Sequence, residues 1–461
     1  MAGAARFGSP NHTRRPEFAR QRQLSAASQQ WVITAYLTVF GGFLLLAARV
    51  SDLFGRRRVF LIGLAVFTLA SLAGGLANSG ALLLTARAVQ GLGSAALAPA
   101  SLSLITASHY EPAQRTKALS YWSAAASSAG AAGLVLGGLL TDKLSWRWVL
   151  FINVPIGVLL YAAAASLLAP SRPDRARRLD VPGAVLVTAA TAGLVYGISQ
   201  ATDHGWAAGR VVYALCSAAV LVIAFALVEQ RVQSPLIPPS IYRHARLRVA
   251  NLIAVALGAI MTSTTFFLSV YEQQSLGYSP LRTGLSLLPW TVVLVIGTFA
   301  ARHLLPRLGV VRLMVLGSLL TAAGLFCLAW LPDRPAYLSH ILGPTLITGA
   351  GMSLVVLPIT IAATTDVAPP EAGLASGLLN MGRQIGGALG LAVLVTIATT
   401  AAQHSHRPLT GAVVHGYHIA LLVAAALSAA TAATALLLRQ RTETPERATA
   451  AETSRRATSE T

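Results

Sequence analysis

Asp52, Gly55, Arg56, Arg57 and Arg58 crowd into one short stretch, SDLFGRRRVF, between two long apolar runs. A carboxylate beside several guanidinium groups can ion-pair, and the glycine between them permits a turn that a β-carbon would obstruct. At a helix end, Asp52 can equally accept from a neighbouring helix terminus. This is the chemistry of a latch rather than of bond making. A bare basic stop signal at a membrane surface would need neither the acid nor the glycine. Arg87 lies in TARAVQGLGSAALAP with Gln90 and Gly91, and Arg383 lies well inside a second apolar run. An arginine there costs about 2.5–3.5 kcal/mol to insert, so each is expected to face a wet cavity or a partner. Residues 87 and 91 share a helix face. Glu272 is the sharpest titratable candidate of the second half; it falls at a helix end, which leaves both a solvated and a functional carboxylate open. No nucleophile–base pair or metal constellation is evident, so the chain does not read as an enzyme. His404, His406, His415 and His418 gather near one loop. There is no helical i, i+4 pair among 404, 406 and 415, and the four read as solvated loop histidines, so no metal or other cofactor is expected.

The elements that position these residues are membrane helices. Only 11% of the 461 residues are charged and 54% are hydrophobic, a balance that soluble domains rarely show. Apolar runs of about 20 residues suffice to cross a bilayer. Thirteen are expected, near 31–50, 59–78, 81–107, 118–141, 148–169, 182–200, 211–229, 249–271, 283–302, 312–331, 338–364, 373–400 and 416–438. Interior Pro99, Pro155 and Pro289 are tolerable where neighbouring helices satisfy the freed backbone groups. Cys216 and Cys327 both fall inside apolar runs and read as packing residues, and the polar first thirty residues lack the apolar stretch of a cleavable signal peptide.

The net charge of +19 does not imply nucleic acid, because no contiguous basic domain exists. The arginines sort by loop instead. Arg56–Arg58, Arg115, Lys117, Arg172, Arg175, Arg177, Arg178, Arg231, Arg243, Arg246, Arg248, Arg302, Arg307 and Arg312 fall in one alternate set, and the poorer set holds Lys143, Arg147, Arg210, Arg282, Arg334 and Arg407. The rich set is expected to face the cytoplasm, and the Thr/Glu/Arg-rich tail falls on the same side. Thirteen spans then place the N-terminus outside, although residues 1–30 are basic and prefer the inside.

The stretch ARVSDLFGRRRVF resembles the loop between the second and third helices of the major facilitator superfamily, with Ala48 where that pattern has glycine. Arg87, Gln90 and Gly91 resemble its fourth-helix motif. The run from Gly130 to Gly157 resembles the fifth-helix antiporter motif of drug exporters, with Leu134 where proline is usual. Its Gly133, Gly137 and Gly138 are expected to let helix backbones approach closely. FFLSVYEQQSLGYSPLRTGLSLLPW and GLASGLLNMGRQIGGALGLAVL look like the fourteen-span drug:proton antiporter branch. AARHLLPRLG echoes residues 47–55 with an insertion and no acid, as a duplicated architecture would.

The resemblance implies an all-α membrane protein of the major facilitator fold: two helical bundles plus two inserted helices. The expected organisation is a polar basic tail over 1–29, an N-terminal bundle of five helices over 30–170, two inserted helices with a cytoplasmic loop over 171–247, a C-terminal six-helix bundle over 248–439, and a disordered cytoplasmic tail over 440–461. It further implies proton-driven efflux of small amphipathic or antibiotic molecules across the bacterial inner membrane by a monomer, with protons and the lipid bilayer as the other partners, no nucleic acid and no cofactor beyond the proton gradient. The family's first helix, which carries an acid implicated in proton coupling, would precede Trp31. MAGAARFGSPNHTRRPEFARQR stands there instead, so the start is expected to be incomplete or decayed. The alternative is a truncated, transport-inactive protein or a non-transporting sensor.

Overall fold

The computed structural model describes residues 26–108, 112–168, 179–232, 235–238, 240–330, 337–367, 371–405 and 409–440. The expected N-terminal tail up to residue 25, the arginines of 172–178, Arg334, His406, Arg407 and the C-terminal tail from residue 441 lie outside these ranges. Among the described residues the structure is helical, with no strand. The helices are α1 (Ala26–Phe54), α2 (Arg56–Gly75), α3 (Gly80–Ser108), α4 (Pro112–Lys143), the short α5 (Trp148–Phe151), α6 (Asn153–Leu167), α7 (Val181–His204), α8 (Gly209–Arg231), α9 (Ala245–Gln274), α10 (Pro280–Leu328), α11 (Gly343–Thr364), α12 (Ala372–Gln403) and α13 (Leu409–Gln440). A helix satisfies its own backbone polar groups within one segment, which lipid demands of any spanning element.

Eleven of the described helices are long and apolar enough to cross a membrane, against thirteen expected spans. One of the two further spans is merged into a longer helix. The 49-residue α10 counts once, yet at 1.5 Å per residue it would run about 70 Å, far beyond one bilayer. Gly309, at φ 73° and ψ 168°, breaks it into two rods over the expected ranges 283–302 and 312–331. The span expected at 118–141 lies in α4, whose first turns carry Gln114, Arg115 and Lys117 and whose middle is Ser/Ala-rich. Its stretch from Ser123 to Leu140 carries no charge and is of spanning length.

Within the first half, α3 packs on α1 and α2, and α6 packs on α2. Within the second, α9 packs on α12 and α13, and α10 on α11 and α13. Two contacts join the halves, α1 with α12 and α4 with α10. The α7–α8 hairpin leans through α7 on both α1 and α12. The deepest side chains are apolar and mostly from the second half, among them Ile253, Ile260, Leu313, Met314, Leu325 and Met352. Large apolar residues also stand outward in number, such as Ile62, Leu159, Tyr213, Ile223, Phe299 and Trp330. Such a belt suits lipid, not water. Cys216 and Cys327 lie on this outer surface.

Candidate functional site

The arginine-rich turn follows directly from one glycine. Gly55 is buried and takes φ 94°, a left-handed conformation that L side chains rarely adopt, and so lets α1 end at Phe54 and α2 start at Arg56. Across this turn Asp52 pairs with Arg56 at 3.8 Å. Arg56 also donates to the carbonyl of Ser103 near the end of α3, at 3.3 Å. Arg57 donates to the carbonyl of Ala165 near the end of α6. A cation at a helix C-terminus meets both orphan carbonyls and the negative end of the dipole. The turn thus fastens the ends of the first half's own helices. The latch between bundles that Asp52 could form is not engaged in this structure, where Asp52 points back to Arg56 on the same turn.

Deeper in the first half, Arg87 is met from α1 and from its own helix, α3. Its Nε donates to the Val32 carbonyl on α1 at 2.9 Å, and its Nη1 donates to Gln90 Oε1. Its guanidinium lies 4.5 Å from the Tyr36 ring centroid. Buried Gln90 passes the connection on, donating to Ser71 of α2 at 2.7 Å, and Tyr36 donates to Ser94 at 2.9 Å. Gly91 makes this approach possible: a β-carbon there would stand 2.6 Å from the Tyr36 carbonyl. A charge taken from water needs such a full set of partners, because an unpaired one costs several kcal/mol. Among the described residues no carboxylate pairs with Arg87 or Arg383. Arg383 instead donates to Asn380 at 2.8 Å, one turn earlier on α12.

Glu272 resolves one open reading. It is fully buried, 0% exposed, so it is not a solvated carboxylate. The folded-back loop between α9 and α10 hides it: Tyr278 N donates to the Glu272 carbonyl at 2.9 Å, and Arg282 covers the Tyr278 ring at 3.8 Å. Ser286 of α10 reaches Glu272 Oε2 with its hydroxyl, and the same hydroxyl lies 2.8 Å from the Thr283 carbonyl. Glu272 Oε1 has no hydrogen-bond partner in the structure. A serine hydroxyl has one proton and cannot donate to both oxygens. With Glu272 ionised, Ser286 serves the carboxylate. With Glu272 protonated, the acid can donate to Ser286 Oγ while Ser286 turns to Thr283. The cluster therefore accommodates either state without displacing a heavy atom. Tyr337 fixes it from above by donating to the Ser286 carbonyl at 2.7 Å.

Beside this cluster α4 crosses α10. A β-carbon on Gly138 would lie 2.6 Å from the Pro280 carbonyl, and one on Gly284 would strike the Leu134 carbonyl. Only part of the expected glycine role holds. Among the described residues nothing beyond the helix's own neighbouring turns lies within 4 Å of where β-carbons would stand on Gly133 and Gly137. At about 100° per residue, positions 134 and 138 share the face turned to α10, and 133 and 137 do not. The second contact between the halves also uses small residues: a β-carbon on Gly41 of α1 would stand only 3.1 Å from Gln384 of α12, and one on Gly377 only 2.9 Å from Leu45.

Several partners escaped the sequence reading. Tyr36, Ser71, Ser286 and Tyr337 are common residue types with no distinctive spacing. Arg49 donates to the carbonyls of Pro235 and Leu236, and Arg246 pairs with Asp366 at 2.8 Å. An excess of arginine around Arg49 and Arg246 hid them as topology signals. Among the described residues no group of histidine, cysteine and acid could hold a metal ion.

The model of the Major Facilitator Superfamily matches residues 15–391. The chain is 42% identical to the puromycin resistance protein pur8 of Streptomyces alboniger over 93% of its own length and 87% of that protein. It is 44% identical to the cephamycin export protein CmcT of Amycolatopsis lactamdurans over 80% of its length and 77% of that protein. The lincomycin resistance protein of Streptomyces lincolnensis is 36% identical over 80% of this chain and 76% of its own. Among solved structures, the POT family transporter PepTSo superposes with a TM-score of 0.64 at 15% identity, covering 90% of each chain. The nucleoside transporter NupG gives 0.59 at 12% identity over 90% of this chain and 91% of that one; both share the fold alone. By family match and by close relatives, then, the chain belongs to the major facilitator superfamily and is a multi-pass membrane transporter rather than an enzyme.

Proposed function

We propose that the chain exports small amphipathic or antibiotic-like molecules across the cell membrane, driven by inward proton flow. The relatives named for puromycin resistance, cephamycin export and lincomycin resistance support the export of such cargo. The observation that carries the coupling is the Glu272–Ser286–Thr283 cluster, a buried acid to which Ser286 can donate when it is ionised and from which Ser286 can accept when it is protonated. It lies at the end of the bundle opposite the arginine-rich turn. By the distribution of basic residues that end faces outside, and the C-terminal tail faces the cytoplasm. In this reading the five helices of 30–170 and the six of 248–439 enclose the path, with 171–247 beside them. Protonation of Glu272 from outside removes its charge and changes its hold on α10 next to the Gly138–Gly284 crossing. That differential interaction biases the alternation. The Arg87 cluster supplies a fixed positive charge on the first half, and Arg383 supplies one on the second. No cofactor takes part, and a single copy suffices.

The test is uptake of radiolabelled puromycin into proteoliposomes holding an imposed pH gradient. The parent chain should transport only with the gradient, and Glu272→Gln should lose at least about tenfold in initial rate, the loss expected when a proton-transferring group is removed. Gradient-driven transport that survives Glu272→Gln would remove Glu272 from the mechanism, and gradient-insensitive transport by the parent would remove the coupling.

A further inference from the structure

A pair of acids is buried at the arginine-rich end, away from Glu272. Asp180 is 0% exposed and Glu229 7% exposed. Asp180 caps α7: its Oδ1 accepts from Gly183 N at 2.9 Å. Glu229, near the end of α8, accepts from the backbone of the strap that leads into α9, from Leu236 N at 3.2 Å and Ile237 N at 3.0 Å. On the strap's carbonyl side, Arg49 of α1 donates to Pro235 and Leu236. The two carboxyl groups converge on Gly183. A β-carbon there would stand 3.0 Å from Glu229 Oε1 and closer still to Asp180 Oδ2. Asp180 Oδ2 has no hydrogen-bond partner in the structure.

Two ionised carboxylates facing each other in a buried site repel, and neither can donate. The charged groups around them do not compensate. Asp180 is the charged side chain that faces Glu229 from α7. Arg49 of α1 is directed at carbonyls across the strap. Arg231 and Arg243 are exposed. His244 caps the start of α9, where Arg246 is paired with Asp366. A metal ion fits poorly, because two backbone N–H groups already point their positive ends at Glu229. One proton between Asp180 Oδ2 and Glu229 Oε1 resolves every one of these demands.

We infer that Asp180 and Glu229 form a proton-binding site, holding one shared proton that closes the strap over the α7–α8 hairpin and against α1. The hairpin touches α12 through Val195 and Ile198 toward the other end of α7, so the pair sits at the strap end of an element that touches both halves. Lower pH fills the site and tightens the grip; rising pH empties it, leaves two carboxylates in repulsion, and loosens the strap.

The test is thiol accessibility in native membranes. In a Cys216→Ser/Cys327→Ser background, Ile237→Cys places a reporter at a buried strap position and keeps its backbone donor. Maleimide labelling is measured from about pH 5.5 to about pH 9, a window that brackets displaced carboxyl titrations, with each rate divided by that of the SDS-unfolded protein at the same pH. The relative rate should rise roughly tenfold as the pair empties and the strap opens locally. Asp180→Asn, whose amide donates permanently to Glu229, should label slowly throughout. Asp180→Ala, which removes the donor, should label rapidly throughout. A flat profile in the parent background overturns the inference. So does an Asp180→Asn profile as steep as the parent's, which is readable even where the alanine variant fails to fold.

Discussion

Two turns at the same end of the molecule, at Gly55 and at Gly309, share a backbone and little else. Both glycines take positive φ, 94° and 73°, and both separate two spanning rods. At Gly55 the turn is buried and cross-braced by Asp52, Arg56 and Arg57 to the ends of α3 and α6. At Gly309 it is exposed, nothing lies within 4 Å of a would-be β-carbon, and Arg302, Arg307 and Arg312 stand outward. The bend is what the duplicated architecture requires of both halves. The clamp at the turn belongs to one of them; the second half braces its ends elsewhere, through Arg246 at the start of α9 and Asp366 just past α11.

Substitution of the two glycines should separate backbone need from bracing most sharply. Gly55→Val forces a β-branched residue into the left-handed region, at about 1–2 kcal/mol, and crowds a buried site, at about 1–3 kcal/mol more. Gly309→Val should cost only the first of these. Thermal unfolding in detergent, followed by tryptophan fluorescence, should show the larger loss for Gly55→Val; equal losses would mean that the surroundings of the two turns are equivalent. Next in size, Arg57→Ala removes a charged donor from a helix-end carbonyl and should cost about 1.5–3 kcal/mol, whereas Arg307→Ala, on an exposed turn, should stay within about 0.5 kcal/mol. The same melting experiment reads both, and a matching loss at Arg307 would show a brace there too. Smallest, grafting the pair onto the second turn as Pro306→Asp with Val310→Arg should yield a coupling of no more than about 0.5 kcal/mol in a double-mutant cycle, as exposed i,i+4 pairs do. A coupling well above that would place the strength of the first clamp in the ion pair itself rather than in its arginines' reach to α3 and α6.

Much of the fold could be read from residue order alone, because an apolar run of spanning length has few alternatives to a helix. Each of the thirteen expected ranges overlaps helix in the structure; 59–78 and 312–331 run past the observed ends, and 148–169 and 338–364 each straddle two helical segments. The Arg87 cluster was half visible: an arginine in an apolar run advertises partners, and Gly91 one turn on marks the close helix, but nothing in the spacing points to Tyr36 or Ser71. Glu272 was visible as a residue and not as an environment, since burial of a helix end depends on how the next loop folds back. The face used by Gly138, and missed by Gly133 and Gly137, needs the position of α10, which composition does not contain. Asp180 and Glu229 were hidden for a different reason. Each sits beside arginines that topology alone explains, and their meeting depends on the packing of α7 on α8.

The crossing of α4 and α10 at Gly138 and Gly284 is a joint without teeth. Main chain rides on main chain at those two glycines. Such a fulcrum resists separation but offers little friction to rocking, so the work of switching must be done at the two extremities, where the ionisable groups are.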